Sequence, residues 1–421
     1  MIIITGVNGF IGKCLFNYYK FIRKQKVIGF DKEFEINFYK ENEEDLYFFD
    51  FVKDDKSDFI QLIEDLKISK EICFLHYASE VGVTNHQEST IKSQLILSSN
   101  IYEILLGLKT LDYKIDFVYA SSSEVYGSVN DEDDIKEDQN ILSLSKLSVF
   151  KKPERNEYIL QKAFSEILFK NLKLKSCIIL RYFNVFGPGQ NKNKGINAKL
   201  VNSILNPKDE VFEINGTAIR TYTPINQAII ETFEKIESNK NLKFSIHNIV
   251  GKYTLNNYTL MNCHLIVAGF IYSLKVKEYS PLIMTLFLKE LEDNKISSES
   301  LLEFNYTLIE NEGEIKNRKV YKPLTFNYPY LQIEKEFLGE LLVYYFIELN
   351  KTSGEIINDD FKLKLIGELF ADEKVDNENE IILTYLIDAT DNPRFEKILK
   401  EIPLKELTKD KVLEVVKTFK I

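Results

Sequence analysis

The sequence predicts an α/β protein: a doubly wound parallel sheet, a smaller lobe after it, and a mostly helical C-terminal domain. Three observations carry this. A β-branched run, Ile2 to Ile4, breaks into glycines at 6, 9 and 12 as a helical pattern begins at Phe10. Further apolar runs then alternate with helical stretches, the cadence of strand–helix–strand units. From Pro281 to Ile421 only four glycines occur, and apolar positions fall three and four apart, as in Ile333 to Leu349 and Lys405 to Phe419.

Strand, glycine turn and helix together outline a nucleotide site. Gly6 lets the chain turn sharply off the strand, Gly9 lets the backbone approach a pyrophosphate, and Gly12 lets the helix pack closely on the sheet. The helix N-terminus then offers free N–H groups and a positive dipole end to the phosphates. The second strand, Lys26 to Asp31, ends in an acid nineteen residues beyond Gly12. A carboxylate there accepts both adenosine ribose hydroxyls and repels a 2′-phosphate, which favours NAD over NADP; Lys32 softens that repulsion. The third run, Leu46 to Phe51, ends in Asp50 and Phe51, an acid and an apolar neighbour suited to an adenine edge and face. The fourth, Ile72 to Ala78, ends in small residues. A helix around Asn100 to Leu108 leads to the fifth, Ile115 to Ala120, and Cys177 to Tyr182 forms the sixth.

Composition narrows the classes. With 421 residues, two or three domains are expected. Net charge is −10, and the segment Pro281–Ile421 holds 19 of 54 Lys+Arg against 28 of 64 Asp+Glu, so nearly all of the excess lies there. Such a surface disfavours a nucleic-acid partner. The longest apolar stretch, Leu265 to Leu274, is far short of a bilayer span. Cys14, Cys73, Cys177 and Cys263 are scattered and sit mostly in apolar runs, and the histidines, His76, His86, His247 and His264, stand singly; no metal site is expected. The first strand begins at residue 2, which leaves no room for a secretory leader, so the expected compartment is the cytoplasm.

Tyr158 and Lys162 lie four apart on an amphipathic stretch, Arg155 to Leu168, which puts both on one helix face. A phenol of pKa about 10 is a poor base at neutral pH, and a neighbouring ammonium lowers it. The pair follows the serine cluster Ser121 to Ser123, with Tyr158 standing 36 residues after Ser122.

Taken in order, Thr5-Gly-Val-Asn-Gly-Phe-Ile-Gly12, Asp31, Asp50, His76-Tyr-Ala-Ser79, Ala120-Ser-Ser-Ser-Glu-Val-Tyr-Gly127, Tyr158 with Lys162, and Arg181-Tyr-Phe-Asn-Val-Phe-Gly-Pro-Gly189 resemble the extended short-chain dehydrogenases of the nucleotide-sugar epimerase/dehydratase family. The resemblance covers residues 1–275 and implies a Rossmann fold binding NAD. It implies cofactor contacts from Gly6, Asn8, Gly9, Phe10, Ile11 and Gly12 on the glycine turn, and from Asp31, Lys32, Asp50 and Phe51 on the next two strand ends. Tyr77, Ala78, Ser79, Tyr158, Lys162 and Tyr182 complete that set. Ser122 is implied to share a hydrogen bond with the substrate's 4-hydroxyl, Tyr158 to remove its proton, and Lys162 to hold the nicotinamide ribose. Asn184 and Arg220 are the implied substrate contacts, the arginine on a diphosphate.

Glu124 departs from the simple 4-epimerases, which carry a neutral residue there; dehydratases and decarboxylases carry an acid, which can take the C5 proton once C4 is a ketone. Ser123 stands where some 4,6-dehydratases have an aspartic acid. The expectation is an NAD-dependent nucleotide-sugar dehydratase working through a 4-keto intermediate, in surface-polysaccharide or modified-sugar biosynthesis, as a homodimer. A 4-epimerase and a catalytically silent NAD-binding interaction protein stay open. The expected domains are 1–180 for NAD, joined by returning segments from 221–250, then 181–280 for substrate, and 281–421 of unassigned role. Asn215 to Tyr222 resembles the family segment that carries this arginine, after which the family continues into a valine and paired aspartates, whereas here stands Thr223-Pro-Ile-Asn226; Phe244 to Val250 resembles the strand that follows and Leu255 to Phe270 the helix after it.

Overall fold

A computed structural model of the chain describes residues 1–79, 88–127, 153–192, 194–205, 219–240 and 242–257, and beyond these positions 259, 260, 263, 264, 267, 337, 340, 341, 344, 345 and 348. His86, residues 215–218 and the stretch Lys405 to Phe419 lie outside the described residues. The chain divides into two compact units, Met1–Val185 with Ile225–Gly251, and Phe186–Pro224 with Lys252–Ile421.

The first unit holds a seven-stranded sheet built from β1 (Ile2–Thr5), β2 (Val27–Asp31), β3 (Leu46–Phe48), β4 (Glu71–His76), β5 (Lys114–Ser122), β6 (Ser176–Tyr182) and β9 (Ser245–Ile249). Its order is β3-β2-β1-β4-β5-β6-β9, and every pairing is parallel. Strands covered on both faces read as unbroken apolar runs, which is why Ile2, Ile3, Ile4, Phe74, Leu75, Phe117 and Val118 are all buried. The order reverses between β1 and β4, and ligands of doubly wound sheets bind beyond the carboxyl ends of the strands at such a switch point. Thr5, Asp31, His76, Ser122 and Tyr182 are the last residues of their strands.

Helices cover the sheet. In α1 (Phe10–Asn17) the buried side follows the glycine turn. Following α2 (Ile36–Asn42), α3 (Lys56–Asp65) starts at Asp55, whose carboxylate accepts the Ser57 N–H at 2.8 Å, and buries Phe59 and Ile63 one turn apart. The long helices α4 (Glu88–Thr110) and α5 (Pro153–Lys170) pack together, with the Ser98 and Ser165 hydroxyls 2.7 Å apart.

Two elements differ from the sequence expectation. The third strand stops at Phe48, because the Asp50 carboxylate accepts the Val52 N–H at 3.0 Å and the Asp54 carboxylate accepts the Asp50 N–H at 2.7 Å, closing a turn. Leu255, expected to open a helix, lies in β10 (Tyr253–Asn256), where it pairs with Arg220 of β8 (Ile219–Pro224). Burial there alternates through Tyr253, Thr254 and Leu255, the period of two that a half-covered strand requires.

In the second unit Phe337 lies 5.3 Å from the rings of Phe186 and Tyr253, and the Glu348 carboxylate accepts the Gly189 N–H at 3.0 Å. His264 is held at both ring nitrogens, by the Tyr345 hydroxyl at 2.8 Å and the Asn197 side chain at 2.9 Å. Phe337, Tyr345 and Glu348 therefore pack with Phe186, Gly189, Tyr253 and His264 of the same unit.

Candidate active site

The glycine turn is built so that no side chain fits at two of its positions. Gly6 has a φ of +72°, and a Cβ there would stand 2.4 Å from the Ala78 amide nitrogen; at Gly12 it would stand 2.2 Å from the Gly6 carbonyl oxygen. Both obstacles are backbone and cannot yield. Gly9 donates its N–H to the Gly6 oxygen at 3.0 Å, and a Cβ on it would meet that oxygen at 3.1 Å, so the turn is tight and its outer side bare. Asn8, Phe10 and Ile11 continue the turn into α1.

Asp31 is fastened to this turn. Its carboxylate accepts the Asn8 N–H at 2.9 Å and the Lys32 N–H at 2.8 Å, while the Asn8 side chain accepts the Glu35 N–H at 3.2 Å. Burial raises the Asp31 carboxyl above its ordinary range, and those backbone N–H groups oppose the rise. The Glu33 N–H acts on the same carboxylate, which has about four lone-pair sites and so keeps acceptor capacity for a hydroxyl donor. A bare glycine turn, a helix start and an acid at the adjoining strand end fit a dinucleotide.

Not every expected contact is equally presented. The Asp50 carboxylate serves its own turn and lies 3.3 Å from the Lys53 ammonium. The Phe51 ring is 4% exposed and packs against Phe30, Phe49 and Phe59, so it is part of the core. At the end of β4, the Tyr77 hydroxyl bonds the Tyr182 hydroxyl, which also meets the Thr232 hydroxyl at 2.7 Å, and Ser79 donates to the Gln94 side chain at 3.2 Å.

Ser122, Glu124, Tyr158 and Lys162 come together where β5 meets α5. Ser122 begins a 3-10 turn, Ser123–Tyr126, and its oxygen accepts the Glu124 N–H at 3.2 Å. Its hydroxyl is near enough to the Tyr158 phenol to favour the phenolate. Burial pushes the Tyr158 phenol up to about 12; the Ser122 hydroxyl pulls it down and the Glu124 charge pushes it further up. The Lys162 ammonium donates to the Ala120 carbonyl at 2.8 Å and lies 5.9 Å from the centre of the Tyr158 ring. Burial pulls Lys162 down to about 8. The group that lowers the phenol is thus Ser122 and not, as expected, the lysine, and burial outweighs it.

Asn184 follows β6 with a φ of +31°, a conformation asparagine tolerates better than most residues, while Arg220 belongs to the second unit and donates to the Ile219 carbonyl at 2.7 Å. The sequence reading overlooked the tyrosine hydroxyl chain and a buried ion pair, Arg181 with Glu166, at 2.8 Å. An arginine inside the otherwise apolar strand Ser176–Tyr182 was the signal for the second. Among the described residues no group of three or more His, Cys, Asp or Glu is gathered to hold a metal, and no helix is long and apolar enough to cross a membrane.

Comparison with known proteins bears on this geometry. The model of the family described as the NAD dependent epimerase/dehydratase family matches residues 2–229. A dTDP-D-glucose 4,6-dehydratase of Dictyostelium discoideum is 29% identical over 279 residues, which cover 61% of this chain and 59% of that protein. The bifunctional polymyxin resistance protein ArnA of Wigglesworthia glossinidia brevipalpis is 27% identical over 286 residues, covering 65% of this chain and 41% of that one. The chain thus spans 41% and 59% of the lengths of these two relatives. The solved UDP-glucuronic acid 4-epimerase of Bacillus cereus, a complex with UDP-glucuronic acid and NAD, has a TM-score of 0.51 at 23% identity, covering 64% of this chain and 83% of that one. At that identity it shows the shared fold.

Proposed function

The chain belongs to the NAD dependent epimerase/dehydratase family, and from that premise we propose that it is a nucleotide-sugar 4,6-dehydratase acting through a 4-keto sugar. The observation that carries the reading is the gathering of Ser122 and Glu124 with Tyr158 and Lys162 where β5 meets α5, with the Lys162 ammonium bonded to the Ala120 carbonyl at 2.8 Å and 5.9 Å from the centre of the Tyr158 ring. Gly6, Gly9, Gly12 and Asp31 hold the dinucleotide, with Ala78 at the mouth of the turn. Bound NAD supplies a hydride acceptor for C4 and a hydride source once water has left. Tyr158 takes the proton of the sugar's 4-hydroxyl, and Ser122 donates to the oxygen that loses it. The Lys162 ammonium holds the nicotinamide ribose and stabilises the phenolate, which burial alone disfavours.

Once C4 is a ketone, the C5 proton is acidic. Glu124 removes it and delivers a proton to the C6 hydroxyl, which leaves as water; Glu124, reprotonated from solvent, then protonates C5. Arg220 is the proposed partner of the nucleotide's diphosphate, since a guanidinium matches phosphate oxygens in pairs. Incubation with UDP-, GDP- and dTDP-sugars tests the reading: a keto product carrying solvent deuterium at C5 is expected. Interconversion of 4-epimers without deuterium would instead establish the second reading, a 4-epimerase, in which Glu124 has no part.

A homodimer is proposed on an apolar stripe. Leu160, Phe164 and Ile167 are 43%, 45% and 56% exposed on one side of α5, and Leu95 and Leu106 are exposed on α4, which packs beside it. A second copy would cover both helices. The four cysteines are free and buried, which suits the cytoplasm as the working compartment. Surface-polysaccharide or modified-sugar biosynthesis is the proposed setting.

A further inference from the structure

One side of α5 repeats three ionisable groups at four-residue spacing: Tyr158, Lys162 and Glu166. The last has no part in the chemistry proposed above, yet it is 2% exposed and its carboxylate is fully engaged. One oxygen accepts a short hydrogen bond from the Ser121 hydroxyl and another from Nε of Arg181 at 3.0 Å; the second oxygen accepts from Nη2 of Arg181 at 2.8 Å. Arg181 is fully buried, and its guanidinium lies 4.7 Å from the centre of the Tyr126 ring, whose hydroxyl donates to Asn248 at 2.7 Å.

The register of the sheet gives this triad its consequence. Ser121 pairs with Arg181 across β5 and β6, and Ser122 pairs with Tyr182 one residue on. A single carboxylate on the helix therefore grips both strands one residue short of their functional ends. We propose that Glu166 is a positioning residue: through Ser121 and Arg181 it holds the helix bearing Tyr158 and Lys162 in register with Ser122 and Tyr182, and it balances the buried charge of Lys162.

This rests on the reading of Lys162 as a cofactor ligand. The groups around Lys162 are few. Its own helix presents Tyr158 and Glu166, β5 presents the Ala120 carbonyl and the Tyr119 ring at 5.1 Å, and β4 presents His76, kept neutral by burial. Arg181, on β6, is paired with Glu166. Glu166 is the charge that opposes the burial of the Lys162 ammonium. Removing it favours the neutral amine, so the ammonium is lost at lower pH.

The test is NAD affinity of the full chain, by calorimetry, as a function of pH. Wild-type affinity should hold below and fall as the pH passes about 8. Glu166→Gln alone strands the buried guanidinium, so the informative variant is Glu166→Gln with Arg181→Gln. Its fall in affinity should come at a lower pH than that of the wild type, because Glu166 and not Arg181 is the charge that acts on Lys162. A folded double variant with the wild-type midpoint overturns the proposal. Should the double variant not fold, Ser121→Ala, which keeps every charge, should keep the midpoint and bind NAD severalfold more weakly; unchanged affinity overturns the positioning role. If Lys162→Met binds NAD as tightly as wild type, the reading of Lys162 itself fails and the proposal with it.

Discussion

The Asp31 carboxylate accepts the backbone N–H of Asn8 at 2.9 Å, so the acid at the end of the second strand and the glycine turn after the first form one rigid piece. The two sides of the proposed dinucleotide cradle are thus joined before any ligand arrives, which lowers the ordering cost of binding.

Asp31→Asn should weaken NAD binding by about 1.5–3 kcal/mol, the range for a hydrogen bond to a charged group, and narrow the gap to NADP. The amide keeps one acceptor for Asn8 but turns a donor toward the Lys32 N–H or the ribose. Calorimetric titration with both cofactors checks this. Equal affinities in mutant and wild type would reduce Asp31 to a structural strap.

How much of this was legible depended on range. The buried strands declared themselves because Ile2 to Ile4, Ile72 to Leu75 and Ile115 to Val118 are apolar without alternation, and Tyr158 with Lys162 because helix periodicity is local. Phe51, beside an acid at a strand end, reads as available to an adenine, whereas the turn closed by Asp50 and Asp54 puts its ring in the core. The Glu166–Arg181 pair joins residues on different elements, and the Tyr77–Tyr182 bond joins strand ends 105 residues apart, so no local pattern announced either.

His76 carries a pH signature. Its Nδ1 meets the Thr5 hydroxyl at 2.8 Å, Nε2 is buried without a hydrogen bond, and burial pulls the ring down to about 3 from an ordinary value near 6.5. The unfolded chain therefore binds a proton across that window which the folded chain refuses, and stability is lost as pH falls from about 6.5 toward 3. The slope from this one group is at most about 1.4 kcal/mol per pH unit. Urea midpoints at several pH values should fall with acidity, less steeply in His76→Leu. Parallel slopes would remove His76 from the account.

Tyr158→Phe should lower turnover by roughly 10²- to 10⁴-fold with the fold intact, since the ring is kept and only the proton acceptor is lost. Ser122→Ala removes the hydroxyl that lowers the phenol, so its activity should begin at a higher pH than that of the wild type. Initial rates across pH test both, and full activity in Tyr158→Phe would refute the proton transfer proposed.

Phe164→Asp introduces a charge at the centre of the exposed stripe formed by Leu160, Phe164 and Ile167. Burying an unpaired carboxylate in an apolar interface is costly, so a dimer should dissociate while each copy keeps its fold and binds NAD. Sedimentation equilibrium should report half the wild-type mass. An unaltered mass would show that this stripe is not the contact between copies.

Glu124 decides between the two reactions. It follows the serine turn, its N–H is fixed to the Ser122 oxygen at 3.2 Å, and its charge is felt by the Tyr158 phenol. A carboxylate so near the proton acceptor works against ionisation of that acceptor, a cost that a plain 4-epimerase has no reason to bear. A dehydratase needs a second base for the C5 proton, and Glu124→Gln removes that base while preserving its shape. The mutant should still oxidise C4, since Ser122, Tyr158 and Lys162 remain, and then stall: absorbance of reduced cofactor builds, no stable keto product forms, and no solvent deuterium enters C5. If the mutant interconverts 4-epimers at the wild-type rate, the glutamate is outside the chemistry and the enzyme's reaction is epimerisation.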